Sequence, residues 1–280
     1  MAIAWIDGRW GDPAHLGLPL LDRGLQLADG LFETLLISGG QPRLLAQHLA
    51  RWRHSARLLG MDPPPSDAQL QPLIAEAIAR CPLAPGASGA LRLNWSRGQP
   101  EAQGEGPSAR GIALPAPGKP PLRHRFWLQL SACTPTFTPL TAMVSRQERR
   151  NANSLLSRCK TFAYGQAIQA RREAREAGVD EALLLSTSGE LCCGTTANLL
   201  VLRQGRWLTP PLTSGCLPGV MRQRALELGL ARETSLTAEP QPGDRWLLIN
   251  SLSCRPIVAL QGQNLASLDN PETFWTQLQP

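Results

Sequence analysis

Residues 115–121, Pro-Ala-Pro-Gly-Lys-Pro-Pro, constrain the chain most. Each proline fixes φ and lacks a backbone N–H, so neither a helix interior nor a central strand can run through this stretch. It falls near the middle of 280 residues, a length that favours two domains of ordinary size over one. The expected organisation is therefore an N-terminal α+β domain over 1–115, a linker over 116–125 and a C-terminal domain over 126–280.

Composition narrows the classes. With 42% hydrophobic and 18% charged residues, the chain is globular rather than disordered. No apolar run reaches the roughly 20 residues of a membrane span. The start, MAIAWIDGRW, has no basic stretch leading into an apolar one, so no secretory leader is expected. Seven cysteines lack framework spacing, which suggests reduced thiols and a cytoplasmic protein. The net charge of +6 comes mostly from arginines, whose planar fork suits carboxylates and phosphates. They are scattered rather than striped among aromatics, so nucleic acid is not the expected partner. An anionic small molecule is, although a merely basic surface reads the same from charge alone.

Along the first half, residues 3–10 form a hairpin about Asp7-Gly8, and 31–37 a strand. Apolar residues at helical spacing mark helices over 44–59 and 67–81. Residues 90–95 form a strand, and the polar, Gly-rich 100–108 a mobile loop. In the second half, strands are expected at 126–133, 141–144, 181–185, 198–202, 246–249 and 256–260. A helix over 161–177 is closed by Gly178, and another opens near Val220. Short connections between mixed elements indicate an α+β fold.

Lysine chemistry with carbonyl compounds needs an amine held by fixed structure and partly shielded, so that it can become neutral. Lys160 alone says little. Its surroundings say more: Lys160-Thr-Phe-Ala-Tyr164, then Gly178-Val-Asp-Glu181-Ala, then Ser188-Gly-Glu-Leu-Cys-Cys-Gly-Thr-Thr-Ala-Asn198. Upstream stand Asp22-Arg-Gly24, Asp29-Gly-Leu-Phe-Glu-Thr34 and His48-Leu-Ala-Arg51-Trp52. These ordered motifs resemble the class IV aminotransferases, pyridoxal 5′-phosphate enzymes of two-domain fold type IV, similar to D-amino acid aminotransferase. The resemblance runs from residue 5 to about 257.

The resemblance implies roles. Lys160 would carry the cofactor covalently and act as the catalytic base. Arg51 would fork onto the cofactor phosphate. Leu217-Pro218-Gly219-Val220-Met221-Arg222 resembles the second phosphate element, a turn into a helix whose free N–H groups suit an anion. Gly219 would let the backbone approach, and Val220 and Met221 would donate amides; many relatives carry Thr at the position of Met221. Asn250-Ser251-Leu252 resembles the last phosphate-side segment, one residue short in its spacing to Pro256, which makes Ser251 a candidate. Tyr164 would lie on the helical face of Lys160, near the cofactor's phenolic oxygen, with core packing as the alternative. Arg97 would meet a substrate carboxylate or serve as a turn residue. A homodimer is also implied.

One departure stands out. The family places a Glu five residues before its motif Asn, where the carboxylate pairs with the pyridine nitrogen. Here that position is Cys193, or Leu191 if the Cys-Cys pair is aligned instead, while Glu190 would face the other way unless a bulge intervened. A ring without its acid partner is a weaker electron sink. Cys192-Cys193, Asn250-Ser251-Leu252 and the compact length lean toward the 4-amino-4-deoxychorismate lyase branch. The alternatives are an aminotransferase for branched-chain or D-amino acids and a cofactor-binding protein without catalysis.

Overall fold

A computed structural model of the chain describes residues 2–81, 83–84, 86–100, 112, 114 and 122–279. The expected loop at 100–108, beyond Pro100, and the proline stretch lie outside the described residues. Two compact units emerge, each discontinuous in sequence: 1–40, 52–133 and 160–163 form the first, and 41–51, 134–159 and 164–280 the second.

The first unit is built on an antiparallel sheet in the order Arg9–Gly11, Ala2–Ile6, Leu122–Cys133, Ser88–Pro100 and Gly30–Ser38. Asp7 and Gly8 both take positive φ, 49° and 79°, as a tight two-residue hairpin requires. Because cross-strand partners share a face, the register separates two chemistries. Leu35, Leu91 and Leu130 form one row, all fully buried, and helix Asp67–Arg80 lies against strands Ala2–Ile6 and Leu122–Cys133 with Leu70, Ile74 and Ala77 buried. On the other face run two mixed rows, Phe32–Asn94–Trp127 and Thr34–Arg92–Gln129. The strand Leu122–Cys133 pairs in this sheet, and the chain passes to the second unit at Thr134.

The second unit closes its sheet on itself. The ring runs Asn198–Arg203, Arg245–Asn250, Ser253–Leu260, Leu140–Arg150, Glu181–Ser186 and Leu191–Gly194, and returns to its first strand through the pair Asn198–Cys193. Closure removes the exposed edges that an open sheet leaves. Leu140, Ala142, Leu183, Leu191, Leu199, Val201, Trp246 and Leu248 fill one side of the sheet. On the other, Ala170 and Ala174 of helix Gly165–Glu176 pack on Met143, Ala182 and Leu184. Leu184 pairs with Cys193 but Leu185 with Leu191, so Cys192 is an extra residue. This bulge turns Cys192 and Cys193 together toward the helix, while Leu191 stays in the other cluster.

Two expectations need correction. The helix expected over 161–177 spans Gly165–Glu176, because Thr161 forms a bridge with Leu31 and Phe162 donates to the Gly30 carbonyl at 3.0 Å. Residues 160–163 are thus extended, and Tyr164 stands at the helix start rather than on a helical face shared with Lys160. Glu190, expected within a strand, lies in the turn before Leu191–Gly194.

Leu183 is fully buried in the second unit's larger apolar cluster. Leu183→Ala is expected to cost about 3 kcal/mol in urea denaturation, from lost burial plus the cavity left behind. The partly exposed Leu228→Ala should stay within about 0.5 kcal/mol.

Candidate functional site

In the first unit the backbone around Lys160 is pinned to the start of strand Gly30–Ser38. Phe32 donates its N–H to the Lys160 carbonyl at 2.9 Å. A Cβ on Gly30 would overlap the Phe162 ring, so only glycine allows this approach. The half-buried lysine then carries its ammonium 4.4 Å from the centroid of Phe32, within cation–π reach. Phe32 stacks on Phe162 with centroids 6.2 Å apart, and Trp127 meets Phe162 at 5.6 Å. Arg92 lies over the same Phe32, its guanidinium carbon 3.6 Å from the centroid, and its Nε donates to Asn94 Oδ1 at 2.8 Å.

In the second unit a turn delivers backbone amides to one place. Helix Val220–Glu227 begins after Gly219 with no side chain capping it, which leaves the first-turn N–H groups of Val220 and Met221 and the positive helix end for an anion. Asn198 Nδ2 donates to the Leu217 carbonyl at 2.9 Å. Its Oδ1 stands where a Cβ on Gly219 would fall, so the turn requires glycine. Arg51 Nη1 donates to the Pro218 carbonyl at 3.1 Å, which anchors the guanidinium on this turn. One helical turn earlier, buried His48 places Nε2 3.1 Å from Ser251 Oγ. Asn250 Oδ1 accepts from Leu252 N and Ser253 Oγ, at 2.8 and 3.0 Å, and so fixes the loop that presents Ser251.

An arginine, an uncapped helix start and a hydroxyl tied to the same helix fit a phosphate group by charge and by donor chemistry. No cluster of potential metal ligands occurs among the described residues, and no described helix is long and apolar enough to cross a membrane.

Residues 30–260 match the family described as amino-transferase class IV. The chain belongs to the class IV aminotransferases. D-alanine aminotransferase of Bacillus licheniformis is 25% identical over 93% of this chain and 89% of its own length. A Mycobacterium tuberculosis protein named bifunctional aminodeoxychorismate lyase / D-amino acid transaminase is 28% identical over 79% of this chain and 77% of its own. Among solved structures, a Brucella abortus aminotransferase bound to pyridoxal phosphate superposes with TM-score 0.80 at 21% identity, over 99% of this chain and 97% of that one. A Legionella pneumophila protein provisionally named 4-amino-4-deoxychorismate lyase gives 0.79 at 23%, over 95% and 97%. The α+β, two-domain fold type IV architecture is thus the one adopted here.

Against the class IV pattern, Cys193 pairs with the motif Asn198 across the strands. It packs with Cys192 and Cys216 beside Met143 and Leu184. All three thiols are free and buried. Cys216 Sγ also approaches the Pro211 carbonyl at 3.6 Å. A hydrogen bond from Cys192 brings the Cys216 thiol down to about 7 despite burial, with help from the Arg222 charge. Cys192 moves the other way, because it bonds to Cys193 and Cys216 and is itself buried.

Arg97 has internal partners on every side. Nε donates to Asp29, Nη1 to the Gly60 carbonyl at 3.0 Å and Nη2 to the Leu59 carbonyl at 2.9 Å. Its geometry supports the turn-bracing role and not the carboxylate-binding one, since the fork is committed where it is buried. The acidic motif is likewise structural. Glu181 accepts from Thr195 and pairs with Arg171, and Asp180 accepts from the Thr141 amide at 2.8 Å.

Several residues of consequence carried no usable signal in the sequence reading. His48 and Asn198 lie within the class IV-like motifs, yet only contact geometry gives them holding roles. Cys216 and Arg92 stand outside every motif. For the thiols the expectation is specific. Thiolate absorbance near 240 nm should rise with a midpoint near pH 7. Cys216→Ser should abolish that step and Cys192→Ala should move it to higher pH, since the donor that stabilises the anion is gone.

Proposed function

We propose that this chain is a pyridoxal 5′-phosphate-dependent 4-amino-4-deoxychorismate lyase, which releases 4-aminobenzoate and pyruvate for folate synthesis. The observation that carries the choice of reaction is the cross-strand partner of Asn198. It is Cys193, set in a buried thiol cluster, where the class IV pattern usually has a Glu. A lyase tolerates that replacement best, because the product becomes aromatic and supplies its own driving force. The Mycobacterium tuberculosis relative named for both activities lends support.

Each residue has a physical task in this reading. Arg51 grips the phosphate as a charged fork, the Val220 and Met221 amides add fixed donors, and Ser251, oriented by His48, adds a hydroxyl. When bound, the cofactor withdraws electrons from the substrate carbon that bears the amine. Lys160 Nζ takes the proton from that carbon and returns a proton to the departing enolpyruvyl group. Pinning of the Lys160 backbone by Phe32 keeps the amine's travel short. Tyr164, at the helix start next to this segment, is assigned to the cofactor's phenolic oxygen, and Cys193 to the neighbourhood of its ring.

The purified, cofactor-loaded protein should convert 4-amino-4-deoxychorismate into equal amounts of 4-aminobenzoate and pyruvate. Lys160→Ala should lower kcat by about 10³-fold, and a Lys160→Ala variant with full activity would sink the assignment. Amino-group transfer from D-alanine to a keto acid without lyase turnover would instead establish an aminotransferase, a reading favoured by the 25% identity to D-alanine aminotransferase.

A further inference from the structure

The second unit gathers three free, buried thiols, and the mechanism above uses none of them as a nucleophile. Cys192 and Cys193 turn inward together at the bulge. Cys216 reaches them from the loop that precedes helix Val220–Glu227. Cys192 hydrogen-bonds to both of the others. Cys216 thus has a thiol donor in contact, and the buried guanidinium of Arg222 favours its anion.

Burial without such partners acts the other way. It pushes the Cys254 thiol up to about 12 and also raises the less buried Cys133. At about 7, Cys216 is substantially thiolate at neutral pH, and the thiolate is the form that attacks peroxides. Its immediate neighbour is a second thiol, the arrangement in which a sulfenic acid is captured as a disulfide. Cys193 is 8% exposed, Cys216 1% and Cys192 fully buried. Such burial slows a small oxidant far less than a bulky disulfide.

We propose that Cys216 and Cys192 are an oxidisable pair: a hydroperoxide oxidises Cys216, and Cys192 captures it as a reversible disulfide that resets the turn opening helix Val220–Glu227. With hydrogen peroxide, the Cys216 thiolate attacks one oxygen, the O–O bond breaks, and the departing hydroxide takes a proton and leaves as water. Cys192 sulfur then attacks Cys216 sulfur. The S–S bond forms, the S–O bond breaks, and the hydroxyl leaves as water with the Cys192 proton. Two thiols lose two electrons in all, and the peroxide gains them. Cys216 adjoins Leu217, whose carbonyl accepts from Asn198 Nδ2 at 2.9 Å. An S–S bond is far shorter than a contact between two thiols, so closure draws residue 216 toward the bulge and shifts that carbonyl. An effect on the cofactor rests on the Val220 and Met221 amides holding its phosphate, as proposed above; the disulfide itself does not.

The test treats cofactor-loaded protein with hydrogen peroxide at neutral pH, blocks the remaining thiols and digests with trypsin. Cleavage after Arg175, Arg203, Arg206 and Arg222 leaves Cys192 and Cys193 in one peptide and Cys216 in another. Mass spectrometry should find these two peptides joined, before Cys133 is oxidised, and dithiothreitol should separate them. Cys193→Ala should keep the link. Cys192→Ala should lose it and leave Cys216 as a sulfenic acid that dimedone traps. Wild type without the link overturns the proposal, as does a Cys192–Cys193 bond in its place or a link that survives Cys192→Ala. When pyridoxal 5′-phosphate is titrated into the apoprotein and followed by absorbance, oxidation should raise the half-saturating concentration about 10-fold, the size of one lost hydrogen bond to a charged group. Dithiothreitol should restore it. A linked protein whose affinity stays within about 2-fold refutes the effect on the turn. If Gly219→Ala, which must displace Asn198 Oδ1, also leaves that affinity unchanged, the phosphate assignment is what fails and the disulfide pair stands.

Discussion

The hydrogen bond from Asn198 Nδ2 to the Leu217 carbonyl is the contact that joins the second unit's sheet to the turn opening helix Val220–Glu227. Asn198 opens the strand that closes the ring of strands, paired with Cys193 on one side and Ile249 on the other. Its side chain meanwhile fixes the turn that starts helix Val220–Glu227, and its Oδ1 fills the space that Gly219 leaves. One residue therefore ties the closure of the sheet to the aim of the helix amides. The net worth of such a bond is only about 1 kcal/mol, so its main effect is positional. Neither a serine nor an aspartate could reproduce it, since the first is too short and the second offers no donor to a carbonyl.

Lys160 is held by a different means with the same result. Its carbonyl accepts from Phe32, and the bridge from Thr161 to Leu31 extends the chain beside a strand that packs Leu31, Leu35 and Ile37 in the core. The apolar face supplies the rigidity, and the opposite face carries Phe32, against which the Lys160 ammonium lies. Groups placed on strand ends and helix starts keep their geometry better than groups on free loops. The Gly30 contact with Phe162 sharpens this, because backbone and ring meet with no room for a Cβ.

The elements legible in the sequence are those whose periodicity is undisturbed. Leu49, Trp52 and Ala56 at helical spacing are buried as that spacing requires, and the Asp7-Gly8 hairpin follows from turn chemistry alone. Residues 160–164 misled for a physical reason. Nothing in Lys-Thr-Phe-Ala-Tyr opposes a helix locally, and only a distant partner at residues 30–32 makes the segment extended. Which of the two readings of Arg97 applies depends in the same way on a distant partner, since its tie to Asp29 spans 68 residues. The turn at Gly219 that enters helix Val220–Glu227 was legible because a glycine turn entering a helix is a local device. The Asn198 brace and the Cys216 contact were not, because both depend on strands brought together by ring closure.

The bulge at Cys192 sets the surroundings of the thiol at the position where the class IV resemblance leads one to expect a Glu. With one residue added, Cys192 and Cys193 both turn toward Ala170 and Ala174 and share a cluster with Met143 and Leu184. A carboxylate at 193 in that setting would lose its water and gain mainly apolar neighbours, a cost of several kcal/mol unless a cation came with it. A neutral thiol bears the same burial at little cost. Glu190 lies in the turn before this strand, where its carbonyl accepts from the Ser186 N–H at 2.7 Å. The thiol at 193 thus suits the packing of this strand. Placing an acid there by Cys193→Glu alone would disturb the helix contact before it changed the electronics of any bound ring.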